Sequence, residues 1–215
     1  MRVAVVGATG TIGKAIVQAL TPRHDVVPVS HRHGAHRVDI ADPGSIAEMY
    51  RAIGRVDALI GAAGAAAFAP LEQLGEDDFA LSLRHKLMGQ VNLIRLGLRE
   101  IADGGSITVT SGILGRQPSP GSAVVSLVNA GLEGFVRAAA LEAPRAIRVN
   151  AVSPPWVTET LHALGMEGTP GLPAAVVAQA YVRSVEGNES GMVLEPAGTP
   201  EIAEPGPAGP TADAR

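Results

Sequence analysis

Cysteine is absent from the 215-residue sequence, aromatic residues make up 3% of it, and there are two tyrosines, Tyr50 and Tyr181, and two lysines, Lys14 and Lys86. Each shortage excludes a class of chemistry. Without cysteine there is no disulfide framework, no thiolate metal site and no thiol nucleophile. Seventeen Lys and Arg against 21 Asp and Glu give a net charge of −4 with no dense basic patch, so no nucleic-acid partner is expected. No His-x-x-x-His or carboxylate cluster has metal-ligand spacing, and no metal is expected. Met1-Arg2 leads into an apolar run that Gly7 ends, too short for a signal-peptide core. The most apolar stretch, Leu59 to Pro70, is about half a membrane span. These features predict a soluble, cytoplasmic protein of one domain over residues 1–195.

What the chain has is glycine (26 residues) and short apolar runs that alternate with segments of helical period. Val3–Val6, Asp25–Ser30, Val56–Ile60, Ser106–Thr110, Ile147–Val152 and Met192–Leu194 read as strands. Ile12–Leu20, Pro43–Ala52, Asp77–Ile101, Ser122–Leu141 and Ala174–Val185 read as helices, the second opened by Asp42 as cap and Pro43 at the first helical position. Strands alternating with helices throughout predict an α/β fold, a doubly wound parallel sheet covered on both faces in three α/β/α layers. From Pro196 onward the Pro/Gly/Ala-rich sequence loses apolar periodicity and is expected to be a disordered tail.

The first strand runs into Gly7-Ala8-Thr9-Gly10-Thr11-Ile12-Gly13, where a helix begins. Glycine suits such a turn for three reasons: tight reversal, backbone approach to a pyrophosphate, and close helix–strand packing. The helix N-terminus adds unpaired N–H groups and a positive dipole for the anion. A dinucleotide site that prefers NAD carries an acid at the end of the second strand. Here that place reads Ser30-His31-Arg32-His33. Arg32 with the Ser30 hydroxyl suits a 2′-phosphate, so NADP is favoured over NAD.

Together these motifs resemble the short-chain dehydrogenase/reductase family, whose fold is Rossmann-like, over nearly all of residues 1–195. The glycine turn is similar to that family's, with its middle glycine one place early. Asp39-Ile40 resembles the pair that contacts adenine, and Gly61-Ala62-Ala63-Gly64 stands where the family backs the cofactor with Asn-Asn-Ala-Gly. Thr110-Ser111 resembles the strand end that delivers the active-site serine. Residues 148–154, Arg-Val-Asn-Ala-Val-Ser-Pro, resemble the late strand and turn, with Pro155 where glycine is usual. By this resemblance Pro154 and the Val157 backbone lie beside the nicotinamide, Trp156–Pro173 covers the substrate, and the small-residue helix Ser122–Leu141 pairs subunits in a homodimer or homotetramer.

One departure is chemical. The family places a tyrosine thirteen residues after the serine and a lysine four later, on one helix face. Counted from Ser111 these positions are Val124 and Val128, and valine donates no proton. The family's Asn-Leu-x-Gly reads Lys86-Leu87-Met88-Gly89 here. Lys86 is therefore expected to project into the space at Val124 and Val128, to hold ribose hydroxyls or to donate a proton, with its pKa lowered by desolvation. Ser111 remains a candidate to orient a carbonyl, and Arg116, Gln117 and His162 are lesser substrate-binding candidates. His85 points about 100° away from Lys86 on an ideal helix. The reading is an NADP-dependent oxidoreductase for a small carbonyl or alcohol. Two alternatives stay open, a dinucleotide-binding protein without redox activity and an enzyme of this fold turned to isomerisation, cyclisation or dehydration.

Overall fold

Successive residues of the first strand feed opposite cores. Val3 and Val5 pack with Ile16, Leu20, Val177 and Tyr181 on one side, while Ala4 and Val6 join Ile46, Met49, Leu93 and Ile94 on the other. That alternation is the two-residue period of a strand buried on both faces. The computed structural model describes residues 1–166 and 168–199; the expected tail therefore lies, from residue 200 on, outside the described residues.

Seven parallel strands make one sheet in the order β3-β2-β1-β4-β5-β6-β7. They are β1 (Arg2–Val6), β2 (Asp25–Ser30), β3 (His36–Arg37), β4 (Val56–Gly61), β5 (Ile101–Thr110), β6 (Arg148–Val152) and β7 (Val193–Leu194). Helices α1 (Thr11–Leu20) and α7 (Ala174–Glu186) cover one face. The opposite core takes side chains from α2 (Pro43–Ile53), α4 (Gly89–Gly97) and α5 (Ala123–Glu142). Asp42 caps α2 as expected, its Oδ1 accepting from the Gly44 N–H at 2.8 Å. The chain begins in mid-sheet and builds first toward β3, then from β4 toward β7. The order reverses between β1 and β4, and in open α/β sheets ligands bind above the carboxyl ends at such a reversal.

Three differences from the sequence reading have physical causes. The single helix expected over Asp77–Ile101 is instead α3 (Glu76–Ser82), a π-helical segment Leu83–Met88, and α4, with Ile101 already in β5. Apolar periodicity does not register a one-residue widening inside a continuous helix. The two-residue strand β3 is too short to show a period. A short helix α6 (Thr158–Ala163) lies in the segment expected to cover the substrate. Helix α5, twenty residues, is the one helix among the described residues long and apolar enough to cross a membrane, but Val124, Val128, Leu132 and Val136 are buried in the protein along it.

Candidate active site

Gly7 leaves β1 with φ +88° and donates its N–H to the Val29 carbonyl at 2.9 Å. A Cβ there would sit 2.8 Å from the carbonyl carbon of Ala62, and one at Gly13 would collide with the Gly7 carbonyl. Backbone therefore approaches backbone closely on both sides of the turn, which only glycine permits. Gly10 precedes α1 with no side-chain cap, and the first helical turn has no acid. The uncapped N–H groups of that turn fit a dinucleotide's pyrophosphate.

Two cavities continue from this turn along the strand ends. The first, about 430 Å³, is lined by Gly7, Thr9, Gly10, Ser30, Asp39, Ile40, Ala62, Ala63 and Gly64, together with His31 and His85. The second, about 450 Å³, shares Gly64 and is lined by Ile12, Lys86, Ser111 and Pro154 from the expected set. Thr11, Gly13, Arg32 and Val157 line neither. Gly13 packs beneath the turn, Thr11 and Arg32 are exposed, and buried Val157 pairs with Leu172 at the start of α6. Arg116, Gln117 and His162 also line neither cavity. Ser30 is buried and its hydroxyl donates to the His33 carbonyl, so the hydroxyl offered above to a 2′-phosphate is spent on its own turn. One Asp39 oxygen accepts from the Ala41 N–H at 2.9 Å.

The second cavity corrects the expected surroundings of Lys86. Val124 and Val128 have no exposed surface and do not reach it; α5 meets the cavity one residue later, at Val125 and Asn129. The Ser111 side chain also differs from the expectation. Its hydroxyl turns into the protein, donating to Oε1 of buried Glu133 at 3.0 Å, with the Val152 carbonyl at 3.3 Å. Gly112 lines the cavity beside it, where a Cβ would lie 2.9 Å from Asn129 Nδ2. Glu133 also meets Arg116 at 3.5 Å, and Arg116 reaches on to Glu195.

Lys86 lies half-buried in the π-helical segment, and its Nζ donates to the Ser111 carbonyl at 3.1 Å. Its Cδ runs 3.0 Å from where a Cβ of Gly64 would be. Among the described residues lining this cavity it is the one charged side chain, and no carboxylate pairs with it. Burial lowers its pKa from 10.5 to about 8. His85, its neighbour, faces the first cavity, as the helical angle predicted. Buried Asn129 has no hydrogen-bond partner for Oδ1.

Neither tyrosine is available as an acid. Tyr50 donates to the Leu93 carbonyl and Tyr181 bonds Thr110 Oγ1, both at 2.7 Å, and burial raises both pKa values. Gln90 was not singled out by the sequence reading. Fully buried one turn after Lys86, it donates from Nε2 to the Ala63 carbonyl at 2.7 Å and accepts from the Thr110 N–H at 3.4 Å. It thereby fixes the Ala62-Ala63-Gly64 wall against the end of β5. The signal available was its position four residues from Lys86, on the same helical side.

A parallel sheet reversing at β1/β4, with a glycine turn feeding a helix N-terminus, defines a dinucleotide-binding α/β protein. A family model described as enoyl-(acyl carrier protein) reductase matches residues 2–192. The chain is 31% identical over 175 residues to a rat (Rattus norvegicus) 3-oxoacyl-[acyl-carrier-protein] reductase, covering 72% of this chain and 74% of that protein. It is 31% identical over 185 residues to carbonyl reductase family member 4 of Xenopus tropicalis, covering 76% and 78%. Among solved structures, the protein lin1944 from Listeria innocua superposes with TM-score 0.87 at 37% identity, covering 91% of this chain and 98% of that one. A small-chain dehydrogenase in complex with NADPH superposes with TM-score 0.81 at 26% identity, covering 91% and 95%. The chain belongs to the short-chain dehydrogenase/reductase family of oxidoreductases.

Proposed function

We propose that the protein is an NADPH-dependent reductase of small, largely apolar carbonyl compounds, and the dehydrogenase of the corresponding alcohols, with Lys86 handling the proton. The observation that carries this reading is the placement of Lys86: the one charged side chain among the described residues lining the cavity, with no carboxylate partner among them, held by one carbonyl, with a lowered pKa. Such an ammonium stabilises negative charge developing on a substrate oxygen and surrenders a proton near neutrality. When bound, the dinucleotide supplies or accepts the hydride.

The residues assigned to cofactor are the Gly7–Gly13 turn for pyrophosphate, Asp39 and Ile40 for adenine, Ala62–Gly64 as the wall, and Pro154 and Val157 beside nicotinamide. NADP is preferred because the end of β2 carries Arg32 between two histidines and no acid. The relative that binds NADPH is consistent with this choice. We read Gly112, Val125 and Asn129 as the positions of the family's serine, tyrosine and lysine, since thirteen and four residues counted from Gly112 land on the α5 residues that line the cavity. Asn129, with its unpaired Oδ1, then takes the ribose-hydroxyl role that the family gives its lysine. The Ser111 hydroxyl, committed to Glu133, is left out of the proton path.

The test is titration with NADPH and NADH followed by turnover on a carbonyl panel, for the wild type and Lys86→Ala. Tighter binding of NADPH and a loss of turnover of about a hundredfold in Lys86→Ala are expected. Unchanged turnover in Lys86→Ala removes the lysine from the mechanism. NADPH binding without turnover on any carbonyl assigns the chain a binding role without redox chemistry.

A further inference from the structure

Large apolar side chains left at the surface gather at the mouth of the second cavity. Phe68 is 46% exposed and Leu164 60% exposed, and both line it. Phe68 follows β4 and Trp156 follows β6, yet their rings meet with centroids 5.8 Å apart at 69°, an edge-to-face pair. Aromatic pairs prefer this geometry because ring edges are positive and faces negative, and a third ring extends it at little cost.

Exposed as it is, Phe68 is carried on pinned backbone. The Ala67 N–H donates to Ser82 Oγ at 2.9 Å and the Ala69 N–H to the Gly121 carbonyl at 3.1 Å, bracketing it on both sides. Gly121, φ +84°, leaves room for the ring; a Cβ there would be 3.0 Å from Phe68 Cε1. Across the mouth, the Leu172 N–H donates to the Trp156 carbonyl at 2.9 Å. Two rings fixed over a cavity and only partly covered present aromatic surface without having to order it first, which favours a ligand that uses that surface. The other described residues lining the cavity, among them Ile113, Leu114, Val125 and Pro155, are uncharged, and Lys86 is the one cation among them.

We infer that the substrates are neutral aryl carbonyl compounds and aryl carbinols, the aromatic ring packed on the cavity side of the Phe68–Trp156 pair and the oxygen directed to Lys86. This rests on the function proposed above and narrows its substrate class. With Lys86 engaged by the carbonyl oxygen, a carboxylate or phosphate on the ring finds no second cation among the described residues lining the cavity, so charged aryl compounds are expected to be poor ligands.

Trp156 is the sole tryptophan of the chain, so ring binding is readable without turnover. The experiment pairs phenyl and cyclohexyl carbonyls of equal chain length, and their carbinols. Binding is followed by Trp156 fluorescence and turnover by NADPH consumption, for the wild type and Phe68→Leu. The expected result is a phenyl preference in both readouts that falls by about two- to tenfold in Phe68→Leu, the worth of one aromatic contact. Phe68 is half exposed, so the leucine variant is not expected to unfold; a matching thermal melt verifies it. Equal use of phenyl and cyclohexyl compounds by the wild type, with turnover intact, overturns the ring site and leaves the reductase reading standing. A phenyl-selective fluorescence change without turnover keeps the ring site and overturns the reductase reading. Retention of the full phenyl preference in Phe68→Leu overturns the assignment to this pair.

Discussion

Lys86 is the one charged side chain among the described residues lining its cavity, and both its chemistry and its cost follow from that. Burial lowers its pKa to about 8, against 10.5 ordinarily. Between those values the unfolded chain binds more protons than the folded one, so stability rises with pH across that window. Below about pH 8 the folded protein bears the full cost of enclosing the ammonium. Lys86→Met is therefore expected to raise the melting temperature at neutral pH, the gain shrinking as pH rises toward 10. Thermal melts of both proteins across that range check it, and a gain independent of pH contradicts the linkage. Catalysis runs the other way. Carbonyl reduction needs the protonated lysine, so its rate is expected to fall as pH passes about 8, while alcohol oxidation rises through the same point. Initial rates in the two directions measure this. With only Lys14 besides it in the sequence, Lys86 can also be titrated directly by NMR of labelled lysine.

At the scale of elements, the site depends on how the segment between β4 and β5 is wound. The π-helical segment Leu83–Met88 carries Lys86, and Gln90 follows it at the start of α4. Gln90 ties that helix to the ends of β4 and β5 at once, through the Ala63 carbonyl and the Thr110 N–H. Gln90→Leu removes both bonds from a fully buried place and leaves the Ala63 carbonyl without its side-chain donor. A loss of about 2–4 kcal/mol is expected in urea unfolding, together with weaker NADPH binding because the Ala62–Gly64 wall is released. Full retention of affinity would separate Gln90 from the cofactor wall. The same region marks the border of what the sequence discloses. Glycine spacing and strand–helix alternation located the turn at Gly7–Gly13 and the helices on both faces, because these depend on local geometry and periodicity. They could not reveal the π-helical winding. Nor could they show that the Ser111 side chain turns inward, since a strand-end side chain is oriented by its buried partner, here Glu133, twenty-two residues away. The α5 lining lies one residue on from the expected positions, at Val125 and Asn129 rather than Val124 and Val128, because a count along the sequence fixes the helix face only to within the residue it starts from.

At the scale of the whole molecule, one side of α5 carries small and apolar residues to the surface. Along α5, Ala123, Leu127, Ala130, Gly131, Gly134 and Ala138 are all exposed. Apart from the adjacent pair Ala130 and Gly131 they recur at intervals of three or four residues and so lie along one side of the helix, away from the buried Val124, Val128, Leu132 and Val136. We propose that this stripe packs against its copy in a second subunit, as the resemblance to the family implied. Small residues let two helix backbones approach closely, and an isologous pairing needs such a self-complementary strip. Gly134 offers a clean test, because a Cβ added there meets nothing within 4 Å in the monomer. Gly134→Glu would set like charges against each other across the two-fold pairing while leaving the subunit's own packing untouched. The helix itself is not weakened, since glutamate favours helix over glycine by about 0.5–1 kcal/mol. The expected outcome is a wild-type dimer or tetramer, and a variant whose mass by light scattering falls to that of the 21.9 kDa chain at micromolar concentration. A wild-type protein that is already monomeric removes the interface. A variant that keeps its assembly shifts it to a surface other than α5.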